Sequence, residues 1–170
     1  MAGNDQGLSS AYTICDPTQY RIELHFSFSA DTSWTGATKI FDFSEGYDIA
    51  QGTDGEAGLF VGDGSGTDAL ALVSYDPTFN PVGTTQFTFG QPHVVVVQRY
   101  GAGSATPDLI TVTLDGSLEI SQYDIDHNAV FLRPNRAFYI FTEENRPEGG
   151  YDYWQEEAPG TVTQILISSP

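Results

Sequence analysis

The amino-acid sequence predicts an all-β protein, folded as an antiparallel sandwich or barrel. Three observations support this prediction. Apolar and polar residues alternate with period two along most of the chain, which is typical of strands with one buried face. Clusters of Gly, Pro, Asp and Asn separate these segments, and the chain contains 18 glycines and 9 prolines. No window of about 11–18 residues carries an apolar stripe at helical spacing.

The clearest alternating segment covers residues 20–29. Tyr20, Ile22, Leu24, Phe26 and Phe28 share one face, and polar side chains occupy the other. This pattern predicts a half-buried strand of about ten residues. The further predicted strands are residues 38–43, 58–62, 69–75, 84–89, 93–100, 109–114, 117–123, 129–132, 136–142 and 161–168.

The strongest turn signal is the pair Asp115-Gly116, which separates two of these predicted strands. A two-residue hairpin loop requires positive φ angles, which glycine adopts without steric cost. We therefore predict a tight hairpin between residues 109–114 and 117–123.

The length and composition indicate one domain. The chain has 170 residues, of which 39% are hydrophobic, and this is enough apolar material for a single core. Residues 1–10 are rich in small and polar side chains and are predicted to form a flexible lead-in. No segment approaches the roughly 18–20 consecutive apolar residues that a membrane-spanning helix needs, so we expect no membrane insertion.

The charge of the chain disfavours several kinds of partner. With 23 acidic and 6 basic residues, its formal net charge is −17. Nucleic-acid binding depends on Lys and Arg side chains that neutralise phosphates, so we expect no nucleic-acid partner. The same charge repels polyanionic glycans and favours cations and neutral polymers.

In their order along the chain, several stretches together resemble a known superfamily. They are YRIELHFSF from Tyr20, KIFDF from Lys39, GLFV from Gly58, HVVVVQR from His93, ITVTLDGSL from Ile110 and GTVTQILI from Gly160. The chain resembles the concanavalin A-like lectin/glucanase superfamily, and in particular the LamG-like jelly-roll domains of bacterial exported and surface proteins. The resemblance implies an antiparallel two-sheet β-sandwich in a single LamG-like domain spanning residues 1–170. It also implies an extracellular or cell-surface location. The acidic loop 44–57 and the segment 151–157 depart from the family pattern.

Acidic loops between the middle strands suggest a calcium site, because Ca²⁺ binds carboxylate, carbonyl and hydroxyl oxygens in flexible geometry. The segment 63–68 places two carboxylates and two hydroxyls on a glycine-rich loop. The alternative is an acidic turn that is only solvated. The candidate ligands are Asp48, Asp54, Glu56, Asp63 and Asp68.

A second candidate site binds carbohydrate. Sugars stack on aromatic faces and donate hydrogen bonds to carboxylates and amides. The segment 151–157 combines these groups in one predicted loop, and two further loop aromatics could converge on it. The alternative is that these rings pack the long loop against the sandwich. The candidate residues are Tyr151, Asp152, Tyr153, Trp154, Gln155, Trp34 and Tyr47, and the polar strand face around Glu23 and His25 is the second location considered.

Catalytic motifs are absent from the sequence. Retaining glycosidases need paired carboxyl groups, whereas the strand carboxylates Glu23 and Glu119 are each alone on their strands. The Gly-x-Ser-x-Gly motif of serine hydrolases does not occur either. We therefore expect a protein that is not an enzyme.

These observations lead to two functional hypotheses of different classes. The first is a binding or adhesion module that recognises a glycan, with calcium as a cofactor. The second is a structural or assembly subunit of a virion or cell surface, whose partner is another protein. A glycoside hydrolase is the lesser alternative.

Overall fold

The computed structural model describes residues 8–9, 16, 18–29, 38–42, 58–62, 68–73, 79–101, 107–125, 129, 139–141 and 159–170. Within these residues the chain forms strands and turns, and no helix long and apolar enough to cross a membrane is present among them. The strands are β1 (Leu8–Ser9), β2 (Tyr20–Phe28), β3 (Thr38–Asp42), β4 (Gly58–Val61), β5 (Ala69–Val73), β6 (Val82–Gln86), β7 (His93–Tyr100), β8 (Asp108–Leu114), β9 (Ser117–Asp124), β10 (Tyr139–Ile140) and β11 (Gly160–Ser168).

The strands form two antiparallel sheets. One has six strands in the order β1-β10-β3-β4-β5-β6, and the other has five in the order β11-β2-β7-β8-β9. The predicted fold class, an all-β antiparallel two-sheet sandwich, is confirmed.

Where the structure describes the predicted strands, they agree with it except at some boundaries and at residue 129. Strand β7 occupies the predicted residues, whereas β6 begins at Val82, two residues before its predicted start. Strand β1 lies within the predicted lead-in and pairs with β10. Of the predicted strand 129–132, only Ala129 is described, and it lies in a turn.

The hairpin between β8 and β9 has the predicted turn. Asp115 and Gly116 adopt positive φ angles of 50° and 85°, as a two-residue turn with two left-handed positions requires. The Asp115 carboxylate accepts a hydrogen bond of 2.8 Å from the backbone N–H of Val94. The turn is therefore tied to the neighbouring strand β7.

The core lies between the sheets and is rich in phenylalanine. Phe26 and Phe28 of β2 face inward, and the Phe28 ring lies 4.6 Å from the Phe141 ring, measured between centroids. Phe87 stacks on Phe26 at 5.9 Å. Each buried ring removes enough apolar area from water to contribute about 1.5–3 kcal/mol.

One end of the core contains a buried ionic cluster. The Arg99 side chain is fully buried and donates to Asp124 at 2.9 Å, and it also pairs with Asp108 at 2.7 Å. Arg99 further donates to the carbonyl of Thr18. The Tyr20 hydroxyl donates to the carbonyl of Ala129 at 2.8 Å, and burial raises the pKa of that phenol well above its usual value. These interactions join the ends of β2, β7, β8 and β9, so the cluster has a structural role.

The outer faces of the two sheets differ in how deeply their side chains are buried. All four residues of β4 are buried, as are the first four of β5. Side chains that point away from the core, such as Phe60 and Ala71, are therefore covered as well. Lys39 is 1% exposed and lies on this same side, with its Nζ 5.4 Å from the centroid of the Phe60 ring. We call this outer side of the six-stranded sheet, carrying Lys39, Phe60 and Ala71, the covered face.

The two sheets meet along β6 and β9. The Glu119 carboxylate of β9 accepts hydrogen bonds of 2.9 Å from the backbone N–H groups of Thr84 and Thr85. It also accepts one of 2.6 Å from the Thr85 hydroxyl. Gly83 makes this approach feasible, because a Cβ atom there would lie 2.9 Å from Oε2 of Glu119. Glu119 was predicted to stand alone on its strand, and the structure shows that it bonds the edges of the two sheets together.

Candidate functional site

Most of the predicted site residues lie outside the described residues. This holds for all seven residues predicted to bind carbohydrate: Trp34, Tyr47, Tyr151, Asp152, Tyr153, Trp154 and Gln155.

The predicted calcium ligands are likewise mostly outside the described residues, which include Asp68 but not Asp48, Asp54, Glu56 or Asp63. Asp68 is exposed, and its backbone carbonyl accepts a hydrogen bond of 2.6 Å from the N–H of Phe87. Within the described ranges no three His, Cys, Asp or Glu side chains lie close enough together to hold a metal ion. Calcium binding stays a prediction.

The described residues present a different candidate site on the outer side of the five-stranded sheet. Strands β2 and β7 bury every second residue and leave the intervening side chains partly exposed. The strand register then arranges these outward side chains in rows that cross the sheet. We call this outer side of the five-stranded sheet the open face.

One row on the open face is polar along its whole length. The register places Arg21 beside Gln98, Gln98 beside Thr111, and Thr111 beside Ser121, with Ser168 at the other end next to Arg21. Strands are about 4.8 Å apart, so five strands span about 19 Å. The row offers guanidinium, amide and hydroxyl groups in a line perpendicular to the strands.

A second row, two residues further along the strands, contains two tyrosines. Tyr100 is paired with Leu109, and Leu109 with Tyr123. Tyr123 is 56% exposed, so its ring is available to a ligand. Because the tyrosines are two strands apart, their backbones are separated by about 9.6 Å. This tyrosine row lies directly beside the Gln98, Thr111 and Ser121 part of the polar row.

Charged side chains on β2 complete the open face. The Glu23 carboxylate accepts a hydrogen bond of 2.6 Å from Arg21 and lies 2.8 Å from Nε2 of His25. The hydrogen bond with His25, followed by that from Arg21, lowers the pKa of Glu23 from its usual value. The Arg21 and His25 side chains keep 34% and 31% of their surface exposed. Glu23 is therefore ionised and held by Arg21 and His25, and solvent can reach the side chains of both partners.

The sequence indicated Glu23 and His25 but not the two rows. Period-two alternation does assign Gln98 and Tyr100 to the outer side of β7, because Val97 and Arg99 are buried. It does not reveal which residues of β8 and β9 lie beside them. A β-bulge between Val112 and Thr113 changes the register there, and this is not visible in the alternation.

Comparisons with known proteins identify the fold. No protein-family model and no curated relative matches the chain. The chain is similar to a heptameric SAP-like pentraxin from Limulus polyphemus, with a TM-score of 0.59 and 15% identity, over 98% of this chain and 71% of that one. It is similar to an endo-β-1,4-glucuronan lyase from the fungus Trichoderma reesei, with a TM-score of 0.53 and 14% identity, over 100% of this chain and 78% of that one.

A sialidase from Trypanosoma rangeli is a further match, with a TM-score of 0.54 and 11% identity, over 89% of this chain. This chain spans only 20% of the sialidase. At such identities the similarity shows the fold alone. The chain thus has the antiparallel two-sheet jelly-roll sandwich that the resemblance implied.

These comparisons correct one prediction. The sequence analysis excluded enzymatic activity. This exclusion is wrong, because the similar structures are mostly glycan-active enzymes, including the sialidase and the glucuronan lyase. The expectation depended on missing motifs within single strands. Groups on the face of a sheet come from several strands, so a catalytic set there leaves no fixed spacing in the sequence.

Proposed function

We propose that this domain binds carbohydrate on the open face. One observation carries the proposal: the tyrosine row and the polar row lie side by side on an accessible surface. A sugar ring has an apolar face that stacks on an aromatic ring and a rim of hydroxyls that form hydrogen bonds. An extended glycan lying across the strands would contact Tyr100 and Tyr123 with its ring faces. Its hydroxyls would then reach Gln98, Thr111 and Ser121.

The charges of the site favour a neutral glycan. The Glu23 carboxylate is paired with Arg21 and hydrogen-bonded to His25, but the chain as a whole has a net charge of −17. This field repels a polyanion before contact is made. Neutral polymers have no such barrier.

The experiment is a glycan array followed by titration calorimetry with the best ligand. Tyr123→Ala should weaken binding by about thirtyfold, which corresponds to about 2 kcal/mol, the scale of an interface hot spot. Gln98→Ala should weaken it less. Leu118→Ala is the matched control, because Leu118 is also an exposed residue of β9, 61% accessible, and lies outside both rows.

The segment containing Trp154 is the competing location, and the same titrations test it. Trp154→Ala should leave affinity within about twofold of wild type if the open face binds the glycan. A folded Trp154→Ala protein that loses binding, together with a Tyr123→Ala protein that keeps it, would move the site to residues 151–157. Absence of binding to any neutral glycan would refute the proposed function itself.

Glycan cleavage is a second candidate function, and the pair formed by Glu23 and His25 favours it. A histidine oriented by a carboxylate, here 2.8 Å away, can transfer a proton to or from a bound substrate. Chromatography of the incubated glycan would detect shortened products. Their formation by the wild type and loss in His25→Ala would establish activity on this face, whereas equal turnover in both would place the catalytic groups elsewhere.

We also propose that the acidic loops between Asp48 and Asp68 bind calcium. An ion that binds only the folded state raises the melting temperature by mass action. Millimolar Ca²⁺ should therefore raise it relative to a chelator, and by more than an equal ionic strength of NaCl does. Identical melting curves would contradict this. From the sequence resemblance we further propose that the chain belongs to the LamG-like branch. We also propose that its location is extracellular or at the cell surface.

A further inference from the structure

His93 is a buried histidine that the proposed carbohydrate site does not use. It is the first residue of β7, and its side chain is 9% exposed. Its Nδ1 lies 2.7 Å from a carboxylate oxygen of Asp115, and its Nε2 lies 2.8 Å from the carbonyl oxygen of Thr88. Both ring nitrogens therefore face an oxygen atom at hydrogen-bond distance.

These two oxygen atoms set a condition on the protonation of the His93 ring. A backbone carbonyl and an ionised carboxylate only accept hydrogen bonds, and a neutral histidine has a single N–H donor. The ring can thus satisfy both contacts only as an imidazolium, with a proton on each nitrogen. The protonated ring is the form that fits this geometry.

Within the described part of the chain, one charged group faces His93. The turn between β8 and β9 presents the Asp115 carboxylate, while the register places Phe26 of β2 beside His93. The residues before β7 present the Thr88 carbonyl and the Phe87 ring, whose centroid lies 4.2 Å from that of the imidazole. An aromatic ring at such a distance is a favourable neighbour for a cation.

The two contacts respond differently when the ring loses one proton. A hydrogen bond to a carboxylate is stronger than one between neutral groups, so the remaining proton stays on Nδ1, beside Asp115. The bare Nε2 then directs a lone pair at the carbonyl oxygen of Thr88, and this contact is lost. Asp115 stays in place, because its other carboxylate oxygen accepts the N–H of Val94 at 2.8 Å.

Thr88 belongs to the link between the two sheets. Residues 87–92, which we call the sheet connection, lead from β6 of the six-stranded sheet to β7 of the five-stranded sheet. In the same segment the N–H of Gly90 donates to the carbonyl of Phe28 at 2.9 Å. Protonation of His93 therefore affects how firmly the sheet connection is attached to β7.

We propose that His93 is a pH-sensitive switch, which holds the sheet connection through Thr88 when protonated and releases it when neutral. Histidine suits this role because its charge normally changes between pH 5 and 8. Local segments of a protein can open without global unfolding. The release is such a local opening, confined to the sheet connection, and the Asp115-Gly116 turn keeps its bonds to β7.

Nitrogen-15 NMR of the 170-residue chain between pH 5 and 8 tests the proposal. The His93 ring should pass from a form with protons on both nitrogens to one with its proton on Nδ1. The backbone amides of residues 88–90 should shift with the same midpoint. Protection of the Gly90 amide from hydrogen exchange, corrected for the intrinsic rate, should fall by about fivefold, the ratio that one lost hydrogen bond gives.

Asp115→Asn separates the charge of Asp115 from its geometry. Asparagine tolerates the positive φ that Asp115 adopts, so the turn should form. Its amide oxygen can accept the N–H of Val94, and its NH₂ group can donate to Nδ1 of His93. The neutral ring then carries its proton on Nε2 and keeps the contact with Thr88. The pH response of residues 88–90 should therefore disappear in this variant.

His25→Gln is the matched control, because His25 lies on the open face, on the other side of the same sheet. This variant should keep the response of residues 88–90, whereas His93→Gln should lose it. A neutral wild-type His93 ring with its proton on Nε2, or a ring whose protonation does not change between pH 5 and 8, would overturn the proposal. The same response in Asp115→Asn as in wild type would also overturn it.

Discussion

On the five-stranded sheet, β2 and β7 alternate between buried and partly exposed residues, whereas on the six-stranded sheet β4 buries all four of its residues. Both sheets contribute one side to the same core. They differ in what the other side meets. The open face keeps arginine, histidine, glutamine and tyrosine side chains in contact with water, while the covered face places Lys39 and Phe60 where water does not reach.

The apolar pattern of the sequence indicates this difference in burial between the two outer faces. Strands buried on both faces have continuous apolar runs, and strands buried on one face alternate. The segments GLFV and ALALV are of the first kind, and YRIELHFSF is of the second. For these three strands the pattern indicates which sheet offers an accessible binding surface. Strand β7 departs from it, because its continuous run of four valines lies in the five-stranded sheet and alternates between buried and partly exposed residues.

Removing one aromatic ring from each face tests this contrast directly. Phe60→Ala should destabilise the fold by about 3–5 kcal/mol, the usual cost of emptying a buried phenylalanine site. Tyr123→Ala should change stability by no more than about 0.5 kcal/mol, because its side chain is mainly exposed. Urea denaturation monitored by fluorescence measures both values.

The outcome of this pair bears on function as well as stability. A Tyr123→Ala protein that is as stable as wild type but binds glycan weakly would separate the binding role of the ring from its packing. Equal destabilisation by the two substitutions would show that the open face is not an independent surface.

The fold was predictable because its signals are local. The alternation of β2, the Asp115-Gly116 turn and the apolar run of β7 each depend on neighbouring residues, and the structure confirms all three. Strand β6 was harder to place, since Val82–Gln86 is largely exposed and has no apolar alternation. Its position is determined by pairing with β5 and by Glu119, both of which are distant in sequence.

The candidate site was only partly predictable. Arg21, Glu23 and His25 lie on one strand, so a single alternating segment reveals them as neighbours. Tyr123 joins Tyr100 only through the register of β7, β8 and β9. That register depends on a bulge and a turn, and no local pattern specifies how far apart the two rings lie. The acidic and aromatic loop residues were proposed from composition, and they stay predictions.

The contact between the two sheets yields the last and smallest prediction, which concerns pH. The pKa of Glu119 is lowered from its usual value, mainly by the hydrogen bond from the Thr85 side chain and further by the backbone N–H groups of Thr85 and Thr84. Because the folded-state pKa lies below the unfolded one, the stabilisation is fully present above the unfolded pKa of about 4.5 and is lost as the pH falls through the folded value.

Glu119→Gln retains an acceptor oxygen but has no proton to gain. Its unfolding midpoint in urea should therefore decline less between pH 5 and about pH 3 than that of the wild type. Glu23→Gln is the comparison, because the lowered pKa of Glu23 belongs to the open face and not to the sheet contact. Identical pH profiles for Glu119→Gln and wild type would show that the carboxylate does not stabilise the contact between β6 and β9.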